Sequence, residues 1–207
     1  MGWLQNDLIS LRYRNIIPTI TFVFYNSCMI LFWGMDMVLR EVTNIKEIEQ
    51  LNTEAFPVEE RIPICDLARM AKEGNYALLE AYEAAHFVGF AFLAVNKPSV
   101  YLFLLAVNPQ LRSKGYGGKI VKSICEFYPD CQVVVDIQRV DELCDNLQQR
   151  RKRREFYLRN GFYPTSSYLL FNGMEFDILC SKPFWDKDSF NNVLSQMQAN
   201  GFSLGMR

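Results

Sequence analysis

Leu104-Leu105-Ala106-Val107-Asn108-Pro109-Gln110-Leu111-Arg112-Ser113-Lys114-Gly115-Tyr116-Gly117-Gly118-Lys119 carries the chain out of a buried strand and into a helix. The strand half belongs to Val100–Val107, which is apolar throughout, as a central strand covered on both faces must be. Pro109 turns the chain, and the spacing predicts a helix over Gly115–Phe127. The first N–H groups of a helix have no carbonyl within it to bond, and the macrodipole adds partial positive charge at that end. Gly115, Gly117 and Gly118 keep side chains out of the way of an anion, while Arg112 and Lys114 add full charges. The stretch reads as a cradle for a pyrophosphate.

Spacing narrows the kind of cradle. The GxxxxGK[ST] loop would match Gly118-Lys119, but Ser113 stands at its first glycine and Ile120 at its Ser/Thr. The dinucleotide pattern GxGxxG starts at Gly115 and Gly117 and also fails at Ile120.

Working outward, strands and helices alternate. Met37–Val42 reads as a strand. Ile45–Ala55 has helical spacing, with Thr43 or Asn44 as its cap, and Ile64–Glu73 follows Pro63 as a second helix. Tyr76–Tyr82 and His86–Val95 form a hairpin through Glu83-Ala84-Ala85. Beyond the glycine-rich loop come the buried strand Gln132–Ile137, a charged helix over Asn146–Asn160 stopped by Gly161, and a hairpin with Asn172-Gly173 at its turn.

Arg112-x-x-Gly115-x-Gly117, placed after a strand that ends at Val107, resembles the Q/R-x-x-G-x-G/A loop of the GNAT superfamily of acyl-CoA N-acyltransferases. Phe156-Tyr157-Leu158-Arg159-Asn160-Gly161-Phe162 resembles that family's FYxxxGF segment, and the element order over residues 37–182 is similar to its fold. The resemblance implies an α/β fold with a mixed, mostly antiparallel sheet flanked by helices and splayed between two central strands. It implies that Arg112, Ser113, Lys114, Gly115, Tyr116, Gly117 and Gly118 hold the pyrophosphate of coenzyme A. Leu105, Ala106 and Val107 would offer main-chain groups to its pantetheine arm, like an added strand. Tyr157 would protonate the departing thiolate; a phenol with a pKa of ~10 is still protonated at pH 7.

Many family members carry asparagine seven residues before that tyrosine, where this chain has Arg150, the first of five successive cations through Arg154. At 3.6 residues per turn such a run points nearly every way, which suits a solvated helix. The general base is left open by the residues. Glu59 and Glu60, in the loop after Pro57, are candidates, with Glu60 first, and so is Asp136 within its apolar strand. His86, beside a turn, reads as structural. No cysteine has a nucleophile-like setting, so direct attack in a ternary complex is expected rather than an acyl-enzyme.

Composition sets the outer limits. Half of the 207 residues are apolar, and 22 Lys+Arg balance 23 Asp+Glu, so no overall field draws the chain to nucleic acid. The six cysteines show no paired spacing, which argues against a zinc site or a disulfide framework and suits a reducing compartment. Residues 1–36 stand apart: Ile16 to Trp33 carries no charge and just meets the ~20 apolar residues of a membrane helix. It reads as an anchor, a signal peptide or upstream sequence outside the working domain, with Met37 as the natural start. The domain is expected over 37–182, followed by a polar tail over 183–207. The sequence thus predicts a cytoplasmic N-acetyltransferase that uses acetyl-CoA and no metal, with a small-molecule or peptide amine as acceptor. A homodimer is compatible with this, and a membrane location would require residues 16–33 to be an anchor. The rival is a non-catalytic acyl-CoA-binding module.

Overall fold

The computed structural model describes residues 37–58, 61–141, 144, 146–171 and 173–207. The leader over 1–36, the candidate bases Glu59 and Glu60, and Asn172 of the last hairpin lie outside the described residues. The chain runs β1 (Val38–Glu41), α1 (Ile45–Ala55), α2 (Ile64–Ala71), β2 (Tyr76–Glu83), β3 (His86–Asn96), β4 (Ser99–Val107), α3 (Tyr116–Phe127), β5 (Gln132–Gln138), α4 (Leu147–Arg159), β6 (Tyr163–Phe171), β7 (Met174–Cys180), α5 (Lys187–Ala199) and β8 (Leu204–Met206). The strands form one sheet in the order β1-β2-β3-β4-β5-β7-β6-β8. Among the described residues only β4 and β5 pair in parallel; the other adjacent pairs are antiparallel. This is the mixed α/β sheet that the sequence predicts.

Helices cover both faces. On one face Ile48 and Leu51 of α1, Leu67 and Met70 of α2, and Phe190, Val193 and Met197 of α5 pack on Phe90, Phe92 and Tyr101. On the other, Ile120, Val121 and Ile124 of α3 and Tyr157 of α4 pack on Leu93, Val100, Leu102 and Val133. The N-terminus of α1 is capped at long range. Neither Thr43 nor Asn44 caps it with its side chain. Instead the fully buried Glu80 carboxylate of β2 accepts from the backbone N–H groups of Thr43 (3.1 Å) and Asn44 (2.8 Å) and from Arg40 Nε (3.1 Å). Such a cap suits the positive end of the helix dipole.

The uniform apolar run of β4 hides a bulge. Phe92 pairs with Leu104 and Leu93 with Leu102, so Phe103 has no partner. Tyr101, Phe103, Leu104 and Ala106 all face the α1/α2/α5 core, whereas Leu102, Leu105 and Val107 face α3 and α4. An extra residue bends its strand and sharpens the twist. Opposite the bent segment, a Cβ at Gly89 would run into the carbonyl oxygen of Ala106. Gly89→Ala is expected to lower stability by about 3 kcal/mol, the upper end for overpacking, because the obstacle is backbone. Chemical denaturation measures this, and an unchanged midpoint would show that β4 can move aside.

The tail over 183–207 must be corrected. Asp186 caps α5 by accepting from Ser189 N at 3.0 Å, Phe190, Val193, Leu194 and Met197 are buried, and β8 pairs with β6. These residues complete the core and extend the sheet, so the domain continues past Lys182. Their i, i+3, i+4, i+7 spacing is the signal that could have shown it. Among the described residues, no helix is long and apolar enough to cross a membrane.

Candidate active site

The start of β4 and the start of β5 are clamped together. Ser99 pairs with Gln132, Val100 with Val133 and Tyr101 with Val134. Buried polar groups reinforce that end: Gln132 Nε2 donates to Ser99 Oγ and to the Asp186 carbonyl, both at 2.7 Å, and Ser99 Oγ lies 2.6 Å from Ser189 Oγ. Past Tyr101 and Val134 the two strands no longer pair, although β4 continues to Val107 and β5 to Gln138. On its other side β4 stays bonded to β3, with Leu105, Ala106 and Val107 opposite Ala91, Phe90 and Gly89. The splay expected from sequence is therefore present at the carboxyl ends of two parallel strands, where open α/β sheets bind ligands. The three residues assigned to the pantetheine lie on its free edge.

The loop that follows is tightly fixed. Pro109–Leu111 makes a single 3₁₀ turn, with Asn108 Oδ1 accepting from Gln110 N at 3.0 Å. Arg112 Nε donates to the Val107 carbonyl at 3.1 Å, tying the loop to the end of β4. Ser113 and Gly115 take the left-handed φ values +62° and +86°, and Gly115 caps α3. Arg112, Ser113, Lys114 and Gly115 are exposed.

The glycines divide the labour differently from the sequence expectation. Gly115 faces open space, but a Cβ at Gly117 would come 3.2 Å from the Phe156 ring, and one at Gly118 would come 2.6 Å from Asn160 Oδ1. Gly117 and Gly118 let α3 approach α4 closely, so their physical reason is helix packing. An aspartate at 117 would disturb that packing along with any anion. The close approach still serves the site, because it sets the first turn of α3 between Val107 and the Tyr157 segment. Lys119 is not part of the free charge there: it pairs with Glu83 at the end of β2 and lies 5.2 Å over the Tyr116 ring. The Lys119 ammonium, with the Tyr116 hydroxyl, holds the Glu83 carboxyl below its ordinary range.

Tyr157 is buried, 8% exposed, with its ring edge-on to Phe156 and Phe162 at 4.9 and 5.4 Å. Burial raises its pKa well above that of a free phenol, and Asp136 adds to the rise, while Arg153 opposes it. Among the described residues its hydroxyl has no hydrogen-bond partner, unlike that of Tyr101, which donates to Asp136 Oδ1 at 2.6 Å. Tyr101 is fully buried, and burial first, then Asp136, push its pKa well up. On β5 the residues Val133, Val135 and Ile137 face α3 and α4, so by alternation Asp136 lies on the opposite face, with Tyr101. A phenol from one face of the sheet and a carboxylate from the other thus lie near enough for the carboxylate to disfavour the phenol's ionised form. Sequence reasoning singled out Tyr157 and Asp136 separately and missed Tyr101, which looked like one more apolar residue in its strand.

Arg150 does not reach toward the loop. Its Nε donates to Asn146 Oδ1 at 2.7 Å and its Nη1 to the Arg139 carbonyl at 2.8 Å, pinning the start of α4 to the exit of β5. His86 opens β3 at the exposed surface.

The family model described as "Acetyltransferase (GNAT) domain" matches residues 74–164, which span β2 through α4 and contain the glycine-rich loop, Asp136 and Tyr157. Over these residues the chain is similar to the GNAT acetyltransferase domain. Among solved structures, one described as a GNAT-family acetyltransferase from Bacteroides thetaiotaomicron superposes with a TM-score of 0.66 at 20% identity, covering 79% of this chain and 97% of that one. The PaiA N-acetyltransferase of Thermoplasma acidophilum, in complex with coenzyme A, gives 0.50 at 17% identity over 72% of this chain and 99% of its own. Naa50 of Arabidopsis thaliana, in complex with the bisubstrate analogue CoA-Ac-MVNAL, gives 0.50 at 21% identity, with the same two coverages. No curated protein matches the sequence. At these identities the likeness shows the GNAT fold.

Proposed function

We propose that this domain is a GNAT N-acetyltransferase that moves acetyl from acetyl-CoA to a primary amine by direct attack in a ternary complex. The observation that carries the reading is the splay between β4 and β5 beside the first turn of α3, together with a Tyr157 hydroxyl that has no hydrogen-bond partner among the described residues. The free edge of Leu105, Ala106 and Val107 suits an extended pantetheine arm. The exposed Lys114, with the orphan N–H groups of Tyr116, Gly117 and Gly118, suits its pyrophosphate. Arg112 shapes that loop through Val107 and adds charge.

In this reading the amine nitrogen bonds to the thioester carbon, and the C–S bond then breaks with its electron pair passing to sulfur. Tyr157 gives sulfur a proton, and Asp136, steadied by Tyr101, takes the proton that the nitrogen must lose. The acceptor in this reading is a small-molecule or peptide amine; the bisubstrate analogue CoA-Ac-MVNAL held by Naa50 supports the peptide alternative. The five described cysteines are free, which supports a reducing compartment and hence the cytoplasm.

Release of free thiol from acetyl-CoA over a panel of polyamines, amino sugars, arylalkylamines and peptides tests the reading. At least one amine is expected to be consumed in step with thiol. Binding of acetyl-CoA with no turnover across the panel would replace the enzyme by an acyl-CoA-binding module. Lys114→Glu is expected to weaken acetyl-CoA binding by about tenfold or more, the loss of one charge-assisted contact. Calorimetry at fixed salt measures it, and unchanged affinity would remove the loop from the binding site.

A further inference from the structure

Arg150, Arg153 and Tyr157 are spaced i, i+3, i+7 and so share one stripe of α4. Both ends of that stripe are anchored on the sheet side. Arg150 is bonded to the carbonyl of Arg139, the first residue after β5, and Tyr157 is buried in the core beneath α3 and α4. Arg153, about one turn from each, lies on the same side of the helix. The Tyr157 side chain leans back toward the N-terminus of its helix, which brings its hydroxyl toward Arg153 one turn earlier. Arg153 is exposed, and among the described residues no carboxylate pairs with it.

From this stripe we propose that Arg153 is a positioning residue that acts through the phenol of Tyr157, stabilising the charge that grows on its oxygen as its proton passes to the leaving sulfur. The idea rests on the transferase reading above and deepens it. The step balances: the N–C bond forms, the C–S bond breaks, the electron pair goes to sulfur, and sulfur takes the phenol proton. Asp136 takes the proton that the amine nitrogen releases and returns it to the phenolate, so the products are the N-acetyl amine and the free thiol of coenzyme A. The other titratable groups facing Tyr157 are Asp136 on β5, which disfavours its ionised form, and Tyr101 on β4, which is neutral and held by Asp136. From α3, Gly117 and Gly118 lie against Phe156 and Asn160 and carry no charge, and Ile120 and Val121, in the same cluster as Tyr157, are apolar; the titratable Tyr116 packs at its edge. Arg153 is thus the cation that offsets burial at this phenol.

Two measurements decide it. With difluorotyrosine at position 157, fluorine NMR follows the phenol through its titration without any turnover. Arg153→Gln is expected to raise the midpoint by roughly half to one pH unit, as loss of one nearby, partly screened charge requires, and Arg153→Lys to restore most of it. In single turnover, Arg153→Gln is expected to slow acyl transfer about tenfold with Tyr157 present and not at all in the Tyr157→Phe background. An unmoved midpoint, or an equal loss in both backgrounds, overturns the proposal. A wild-type chain that binds acetyl-CoA but transfers nothing defeats the transferase reading instead, which the fluorine midpoint does not depend on.

Discussion

Tyr157→Phe is expected to slow acyl transfer in single turnover by about 10²–10⁴-fold, the usual worth of a general acid, while acetyl-CoA affinity and melting temperature hardly change. The ring and its edge-on contacts with Phe156 and Phe162 are kept. No hydrogen bond to a described residue is lost with the hydroxyl, so no buried acceptor is left unsatisfied. The effect falls on the transition state because sulfur needs the proton only as the C–S bond breaks. Burial raises the pKa of this phenol, so the proton is present at every pH at which a free tyrosine would hold it. Accordingly, no loss of acid catalysis from Tyr157 is expected as pH rises toward 10. Single-turnover rates are the right measure because slow product release could mask the chemical step. A large fall in melting temperature with the chemical step preserved would make Tyr157 a core residue and nothing more.

The parts of this molecule legible in sequence are those written in local pattern. The strand ending at Val107, the loop with Arg112 and Gly115, the helix after it and the Gly161 stop, observed at φ +83°, each follow from neighbours within a few positions. The opening between β4 and β5 came through resemblance, and its physical causes were hidden. One is the bulge at Phe103, invisible because every residue in VYLFLLAV is apolar apart from a tyrosine hydroxyl, so a change of face leaves no mark on polarity. Another is the Ser99–Gln132–Ser189 clamp, which joins residues from three separate elements. Long-range polar contacts were out of reach for the same reason: Glu80 capping α1 and Tyr101 on Asp136 each cross more than thirty positions. Gly117 and Gly118 suggest an anion site in sequence, because a sequence does not show that Phe156 and Asn160 are what they must clear. The α5 stripe, Phe190, Val193, Leu194 and Met197, is legible in the apolar spacing of the segment read as a polar tail.

Asp136→Asn carries the second large effect. The amide oxygen at position 136 can still accept from the Tyr101 hydroxyl, so the 2.6 Å hydrogen bond has a neutral replacement and the buried phenol is not orphaned. The fold is therefore expected to hold, with β5 still paired to β7 through Ile178 opposite position 136. What the amide cannot do is take a proton. If Asp136 accepts the proton that the attacking nitrogen loses, acyl transfer is expected to fall by about 10²–10⁴-fold, with acetyl-CoA affinity near that of the wild type. Raising the pH separates this from a structural fault. More acceptor is then already deprotonated, so the variant is expected to recover part of its rate while the wild type gains little. Tyr101→Phe provides the matching control: it removes only the hydroxyl that steadies the carboxylate, and a smaller loss is expected. Asp136→Asn with full activity would rule Asp136 out as the base, and the search would return to the acids of the loop after Pro57. Equal losses from Asp136→Asn and Tyr101→Phe, with no recovery at high pH, would instead show that the pair shapes the opening and moves no proton.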